Sequence, residues 1–263
     1  MDAGFLAPFM FVTLLLLLLT GYPVAFVLAA VGLLFGAIGV MMDAIPLGLI
    51  QAVPERLFGI MRNDTLLSIP FFTLMGLVLE RSGMAEQLLD SLNRLLARVR
   101  GGLAYAVLVV GALLAATTGV VAASVMAMGL ISLPIMLRNG YSPSIASGVI
   151  ISSGTLAQII PPSLVLIVLG DTLGVPVGDM YVGALLPSAL LVLGFAVFIF
   201  LMSIWRPDLL PAMKEPAPIQ WGSLLLGLIP PLALIFLVLG TIFIGLATPT
   251  EAGAMGATGA LLL

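Results

Sequence analysis

Two polar interruptions of long apolar stretches are the places where this sequence could bind a small solute. Thr117, Thr118 and Gly119 lie at the middle of the apolar residues 102–137, and a second polar run occupies residues 152–163. The second run holds five polar side chains and adjacent prolines at 161 and 162. Hydroxyl and carbonyl oxygens suit a hard cation such as Na⁺, and the amides of a helix N-terminus suit a carboxylate. The pattern therefore indicates a site for an ion and a polar ligand.

Each interruption also has a purely structural interpretation. In a continuous helix, the hydroxyls of Thr117 and Thr118 bond to carbonyls one turn earlier and Gly119 packs against a neighbour. Residues 152–163 can be a packed helix with a proline kink. The proline pair favours a true break, because each proline removes a helix hydrogen bond and clashes with the preceding turn. Inside a membrane, broken backbone is tolerated only where it is buried in protein or lines a wet cavity.

Composition excludes several other kinds of site. Histidine and cysteine are absent, which removes the commonest general base, thiolate metal ligands and disulfides. With 9 basic and 12 acidic residues the net charge is −3, so no basic surface for nucleic acid is expected, and no enzyme is predicted. The acids nearest the apolar segments are Asp64, Asp171 and Glu251. Each lies near a segment end, where solvation or capping is the expected role and ion coupling the alternative.

The elements that position these polar runs are membrane helices. Apolar residues make up 62% of the chain and charged residues 8%, against about 25% charged in a soluble domain, so the solvent of most residues is lipid. A spanning helix needs about 20 apolar residues. The stretches that reach or approach this length are 4–20, 22–42, 66–80, 180–204, 222–246 and one that begins near residue 250.

Two expectations concern the ends of the sequence. The last apolar stretch is still apolar at Leu263, which predicts that the sequence is the N-terminal portion of a longer chain. The first stretch follows Asp2 and no basic residue. We therefore expect it to be a retained membrane helix and not a cleaved signal.

Residues 84–100 are predicted to form an amphipathic helix along the membrane surface. Their apolar residues recur at i, i+3, i+4 and i+7, and the polar ones, which fall mostly on the opposite face, are Glu86, Asp90, Asn93, Arg94 and Arg98. Basic residues also follow the stretches 102–137 and 180–204. The positive-inside rule places all these basic residues in the cytoplasm. That is possible only if residues 102–137 enter and leave the membrane on the same side.

A re-entrant hairpin with residues 117–119 at its tip meets this requirement. Counting the crossings backwards places the N-terminus outside. Arg56 and Arg62 then also lie outside, against the positive-inside rule.

An internal similarity also predicts inverted repeats. Residues 20–23 and 247–250 each place a threonine and a proline between an apolar helix and a run of small residues. An odd number of crossings separates them, as in the inverted repeats of many secondary transporters.

Several sequence blocks resemble a known family. They are Gly111-Ala-Leu-Leu-Ala-Ala-Thr-Thr-Gly119, Leu133-Pro-Ile-Met-Leu-Arg-Asn-Gly-Tyr141, Ser153-Gly-Thr-Leu-Ala-Gln-Ile-Ile-Pro-Pro-Ser163 and Gly183-Ala-Leu-Leu-Pro187. With these blocks the sequence resembles, over essentially its whole length, the large membrane subunit (DctM type) of tripartite ATP-independent periplasmic (TRAP) transporters. Many members follow the tip glycine with Ser-Ser, where this sequence has Val120-Val121, so the resemblance does not identify the substrate.

The resemblance implies an all-α polytopic membrane protein of the ion transporter superfamily, with an elevator-type inverted-repeat fold. It implies Na⁺-driven import of an organic acid across the bacterial inner membrane, with a small DctQ-type membrane subunit and a periplasmic DctP-type binding protein as partners. The residues carried over for Na⁺ are Thr117, Thr118, Gly119, Gly154, Thr155 and Pro161. The residues carried over for the substrate are Thr118, Ser153, Thr155, Pro162 and Ser163.

The resemblance also implies a division into domains. Residues 1–83 are scaffold helices of the first repeat, 84–100 an arm helix, and 101–175 the transport domain, with hairpin 102–137 and broken helix 144–174. Residues 176–221 supply a helix and a cytoplasmic loop, and 222–263 begin the second repeat.

Two other functions stay open at this point. A single-component, ion-coupled elevator exchanger or symporter of organic anions shares the fold and needs no binding protein. An intramembrane enzyme or structural subunit is disfavoured, because histidine, cysteine and paired mid-membrane acids are missing.

Overall fold

The computed structural model describes residues 3–119, 121–212 and 221–263, and within these ranges the chain is helical with no strand. Four of the described helices are long and apolar enough to cross a membrane, or up to five if the bent pair Asp64–Arg81 and Met84–Leu96 is one span. The prediction of an all-α polytopic membrane protein is therefore confirmed. The chain divides into two compact units, residues 1–62 and 63–263.

The first unit is a pair of packed helices followed by two short ones. Its helices are α1 (Leu6–Leu18), α2 (Val24–Met41), α3 (Leu47–Gln51) and α4 (Val53–Met61). Val27, Val31 and Phe35 of α2 form its buried core together with side chains of α1. Gly21 turns the chain between them with a φ of +80°, a conformation open to glycine at low cost.

The second unit contains both polar interruptions. Its helices are α5 (Asp64–Arg81), α6 (Met84–Leu96), α7 (Gly102–Thr118), α8 (Val121–Arg138), α9 (Pro143–Thr155), α10 (Leu164–Leu173), α11 (Val177–Trp205), α12 (Trp221–Phe243) and α13 (Pro249–Leu262). Small residues of α13 pack on its neighbours. A Cβ placed on Gly256 would lie 2.6 Å from Met75 Sδ of α5 and 2.8 Å from Val238 Cγ2 of α12, the close approach that small residues allow between membrane helices.

The predicted amphipathic segment 84–100 contains helix α6, with two differences from the prediction, and its position along the membrane surface stays a prediction. The helix begins after Gly83, whose φ is +74°, and ends at Leu96, before a turn that leads to Gly101. Asn93 is buried, although we expected it on the polar face. It follows Leu89 by one helical turn and precedes Ala97 by another, so it falls on the buried stripe that these residues define. Asp90 is exposed and pairs with the half-buried Arg94 on the predicted polar face.

Helices α7 and α8 form a hairpin over the predicted residues 102–137, and its re-entrant path in the membrane stays a prediction. The chain turns at Gly119, whose φ is +60°. Gly111, before the turn, and Val125, a similar distance after it, contact adjacent residues of α9, Ser153 and Gly154. The two arms therefore lie side by side on one stretch of α9 and run in opposite directions.

The predicted broken helix is also confirmed. After α9, a 3-10 turn covers Leu156–Gln158, residues 159–163 are not helical, and α10 resumes at Leu164. The peptide bond between Pro161 and Pro162 is cis. The break lies between two helices of 13 and 10 residues, so it is near the middle of the α9–α10 segment.

Candidate functional site

The tip of the hairpin meets the break of the helix. A Cβ placed on Gly119 would lie 2.9 Å from Cγ of Leu164 and 3.4 Å from its backbone nitrogen. Leu164 is the first residue of α10 and directly follows Ser163. The hairpin therefore ends at the depth of the break, and the two polar interruptions of the sequence form one locality.

Glycine is needed at the tip for two reasons. The φ of +60° at Gly119 is unfavourable for residues with a Cβ. The approach of Leu164 leaves no space for that Cβ either. Together these constraints explain why the apolar stretch turns at this residue.

The backbone of the break loses its normal helical partners. In a regular helix, residues 161, 162 and 163 would donate to the carbonyls of residues 157, 158 and 159, but Pro161 and Pro162 have no N–H group. The Gln158 and Ile159 carbonyls find hydroxyl donors instead. Ser163 Oγ donates to the Gln158 carbonyl at 2.6 Å, and Ser188 Oγ of α11 lies 2.9 Å from the Ile159 carbonyl oxygen, to which it donates. Buried backbone polar groups need such partners, so the break is a built element with its own hydrogen bonds.

The predicted residues of the broken helix divide into buried and exposed members. Ser153, Gly154, Pro161, Pro162 and Ser163 are buried, and the Ser153 hydroxyl donates to the Ile150 carbonyl at 3.0 Å.

Thr155, in contrast, is exposed, and its hydroxyl donates to the Ser152 carbonyl at 2.8 Å. Gln158 is exposed one turn later. The exposed side of the break therefore carries the Thr155 hydroxyl and the Gln158 amide, one turn apart.

The hairpin contributes its tip glycine, and Thr117 and Thr118 are the last residues of α7. The side chains of these threonines and all of Val120 lie outside the described part of the structure, so their predicted roles stay predictions. Among the predicted residues, the structure places Gly119 against Leu164, which directly follows Ser163. It holds Ser153 and Gly154 between the two arms of the hairpin.

The base of the hairpin is fixed by Tyr141. The N–H group of Leu103, at the start of α7, donates to the Tyr141 hydroxyl at 3.3 Å, beyond the end of α8. Burial raises the pKa of the Tyr141 phenol, more than hydrogen bonds from the Leu103 and Ala104 backbones lower it. Tyr141 therefore stays neutral and closes the hairpin at its open end.

The three candidate acids lie at helix ends. Asn63 caps α5 by accepting from the Thr65 N–H group at 2.9 Å, and its amide donates to Asp171 Oδ1 at 2.6 Å. Glu251 forms a capping box with Thr248 at the start of α13, the arrangement expected for an acid in a first turn.

Asp64 is the first residue of α5, and its backbone carbonyl accepts from the Thr250 hydroxyl. Capping is thus observed for Glu251, and Asp171 accepts a hydrogen bond from Asn63, the residue that caps α5.

In the described ranges, no group of three acidic, histidine or cysteine residues could hold a metal ion.

Sequence reasoning missed Ser188 and Leu164. Ser188 is remote in sequence from the carbonyl it contacts, and its only signal was a hydroxyl directly after Pro187 within an apolar helix. Leu164 looks like any other apolar residue of α10. Only the tertiary structure reveals that it faces the tip glycine.

A hairpin whose tip meets a broken helix, among several helices of membrane-spanning length, is typical of the discontinuous-helix sites of secondary transporters. The comparison with known proteins makes this class specific. Residues 11–263 match the family model of the DctM component of tripartite ATP-independent periplasmic transporters. The chain belongs to this family.

Three relatives illustrate the similarity. The C4-dicarboxylate TRAP transporter large permease protein DctM of Pseudomonas aeruginosa is 35% identical over 79% of this chain and 48% of its own length. The ectoine TRAP transporter large permease protein TeaC of Halomonas elongata is 29% identical over 97% of this chain and 58% of its own. The 2,3-diketo-L-gulonate TRAP transporter large permease protein YiaN of Escherichia coli is 30% identical, with 81% and 50% covered. The chain thus spans about half the length of these relatives.

Proposed function

We propose that this chain is the N-terminal part of the large permease subunit of a Na⁺-coupled secondary transporter that imports an organic acid. The observation that carries this proposal is the contact between Gly119 at the hairpin tip and Leu164 at the helix break. Unwound backbone at mid-membrane depth supplies carbonyl oxygens for ions, and helix N-termini supply amides for anions. One repeat of the fold would contribute half of such a site.

The proposed Na⁺ ligands are oxygens of Thr117, Thr118 and Gly119 at the tip and of Gly154, Thr155 and Pro161 at the break. Na⁺ is a hard cation that prefers oxygen ligands from carbonyls and hydroxyls. The left-handed backbone of Gly119 and the break after Thr155 both interrupt the regular pairing of helical carbonyls. Such interruptions are where carbonyl oxygens become available to an ion.

For the substrate we propose Thr118, Ser153, Thr155, Pro162 and Ser163, in two roles. Thr155 is exposed and contacts the solute directly. Ser153 and Ser163 are buried and donate to backbone carbonyls, so they hold the backbone that faces the solute. The tip lies against Leu164 at the start of α10, and the amides of a helix N-terminus are a favourable place for a carboxylate.

The relatives support the class of substrate and leave the compound open. The names of the relatives that are 35%, 29% and 30% identical to this chain give C4-dicarboxylate, ectoine and 2,3-diketo-L-gulonate, respectively. These identities are too similar to favour one of the three compounds. We propose a small organic acid whose carboxylate binds between the tip and the break.

The proposed partners follow from the family of three-component transporters. A small DctQ-type membrane subunit accompanies the permease, and a DctP-type periplasmic protein delivers the solute. The proposed location is the bacterial inner membrane, in agreement with the membrane-length helices. Transport by an elevator motion of the hairpin and broken helix is part of the same proposal.

Uptake by proteoliposomes tests this function. The full-length permease is reconstituted with its small subunit, and the solute is the organic acid that binds the binding protein encoded beside it. We expect uptake to require both an inward Na⁺ gradient and the loaded binding protein. Uptake that is indifferent to the Na⁺ gradient would contradict the coupling, and Na⁺-driven uptake without the binding protein would favour the single-component alternative.

A further inference from the structure

Ser188 of α11 connects a neighbouring helix to the backbone of the break. It is buried, and its Oγ lies 2.9 Å from the Ile159 carbonyl oxygen and 2.6 Å from the Ala184 carbonyl oxygen. A serine hydroxyl has a single proton, so its donation is divided between the break and its own helix. The preceding residue, Pro187, cannot donate to the Gly183 carbonyl, which loosens α11 where Ser188 reaches across.

The Ile159 carbonyl is one of three successive carbonyls, those of residues 157–159, that lose their helical donors at the break. The Ser163 hydroxyl donates to the Gln158 carbonyl at 2.6 Å. The N–H groups of Ile159 and Ile160 both donate to the Leu156 carbonyl, at 3.0 and 2.9 Å. The chain from Leu156 to Ser163 is therefore held at both ends by local bonds, and Ser188 adds a hydrogen bond from another helix.

The position of this contact relates it to the candidate ion site. Ile159 is followed at once by Ile160 and by Pro161, a proposed Na⁺ ligand, and Leu164 at the end of the break touches the tip glycine. A rotation of the peptide group between Ile159 and Ile160 must be absorbed by the adjoining backbone torsions. A hydroxyl that holds the Ile159 carbonyl therefore restricts the directions open to its neighbours.

We propose that Ser188 is a positioning residue for the Na⁺ site, acting through the Ile159 carbonyl. This inference rests on the proposed function. The Ser188 hydroxyl keeps the Ile159 carbonyl turned toward α11. The other carbonyl oxygens of the break then face the hairpin tip in a fixed arrangement before the ion binds. Preorganised ligands bind an ion more tightly than ligands that must first be ordered.

Ser203 provides a matched control on the same helix. It is also buried, and its hydroxyl donates to the Phe200 carbonyl at 2.7 Å, within α11 itself. Ser188→Ala and Ser203→Ala thus remove the same atoms from similar surroundings. They differ in the contact with the break.

The test uses the full-length permease with its partners in proteoliposomes and measures uptake twice, with Na⁺ varied at saturating solute and with solute varied at saturating Na⁺. We expect Ser188→Ala to raise the half-saturating Na⁺ concentration by about fivefold, with the KM for solute changed by less than about twofold. Ser188→Thr, which keeps the hydroxyl, restores the wild-type value, and Ser203→Ala leaves it unchanged. Ser188→Cys, similar in volume but a weak donor, shares the defect and replaces the alanine variant if that variant does not fold.

Three outcomes separate the explanations. Equal half-saturating Na⁺ concentrations in Ser188→Ala and Ser203→Ala would overturn the positioning role, even if both variants melt at lower temperature. A parallel loss in Ser188→Thr would also overturn it, because that variant retains the donor. Wild-type uptake without any Na⁺ dependence would instead reject the proposed function. A Na⁺-dependent wild type with an unaffected Ser188→Ala variant would reject only the positioning role.

Discussion

At the residue scale, the site depends on how each backbone group of the break is satisfied. The prolines at 161 and 162 were visible in the sequence, and so was the break that they cause. Ser163 is the last residue of the break and was among the predicted residues. Ser188 could not be predicted, since its contact with Ile159 joins two helices and no local pattern encodes which faces of those helices meet.

Gly119 carries the first residue-scale prediction. We expect Gly119→Ala to lower the free energy of unfolding by about 1–3 kcal/mol, because its φ of +60° disfavours a side chain. The added Cβ would also meet Leu164 Cγ at 2.9 Å and push the tip away from the break, so uptake should be lost. Thermal unfolding of the full-length permease in detergent and proteoliposome uptake measure the two effects.

Gly129 supplies the control within the same hairpin. It lies in α8, and nothing stands within 4 Å of where its Cβ would be. Gly129→Ala should keep uptake and gain about 0.5–1 kcal/mol of stability from the reduced flexibility of the unfolded chain. Normal uptake in Gly119→Ala would show that the tip conformation is not required for transport.

At the element scale, α9 is the piece around which the two arms of the hairpin close. Hydropathy predicted the helices and their interruptions well, because long apolar runs are strong signals. It did not predict the short helices α3 and α4, whose sequences lack an extended apolar run. The burial of Asn93 was missed as well, since a polar residue at a core position contradicts the pattern from which the face was assigned.

Gly154 tests the packing of these elements. A Cβ on Gly154 would contact the Val125 side chain and lie 3.1 Å from both the Cα and the backbone nitrogen of Val125. A backbone cannot move aside as a side chain can, so Gly154→Ala should separate α8 from α9. We expect a loss of about 1–3 kcal/mol in stability, measured by thermal unfolding, and reduced uptake.

Gly148 is the comparison on the same helix. A Cβ added there would have no atom within 4 Å, so Gly148→Ala should be neutral or stabilising by about 0.5–1 kcal/mol. Equal melting temperatures for the Gly154→Ala and Gly148→Ala variants would show that the close packing of α8 on α9 is not needed.

At the scale of the whole molecule, the chain covers about half of its relatives and the proposed site is half of a pair. The sequence predicted inverted repeats from the similar connections at residues 20–23 and 247–250. A glycine of positive φ, Gly21 or Gly245, precedes each of the two helices, and each helix begins at or directly after a proline. This local likeness agrees with the repeat, whose inverted orientation stays a prediction together with the membrane topology and the domain scheme.

The measurement that tests the central claim most directly compares two threonines of the broken helix. Thr155 and Thr172 are both exposed, and each donates its hydroxyl to a carbonyl three residues earlier, at 2.8 and 3.0 Å. They differ in position, because Thr155 lies at the break and Thr172 at the far end of α10.

In Na⁺-driven uptake by the full-length permease with its partners, we expect Thr155→Ala to reduce the rate at limiting Na⁺ by about tenfold or more. Thr172→Ala should stay within about twofold of the wild type. Equal rates for the two variants would contradict the claim that the break forms part of the ion and solute site.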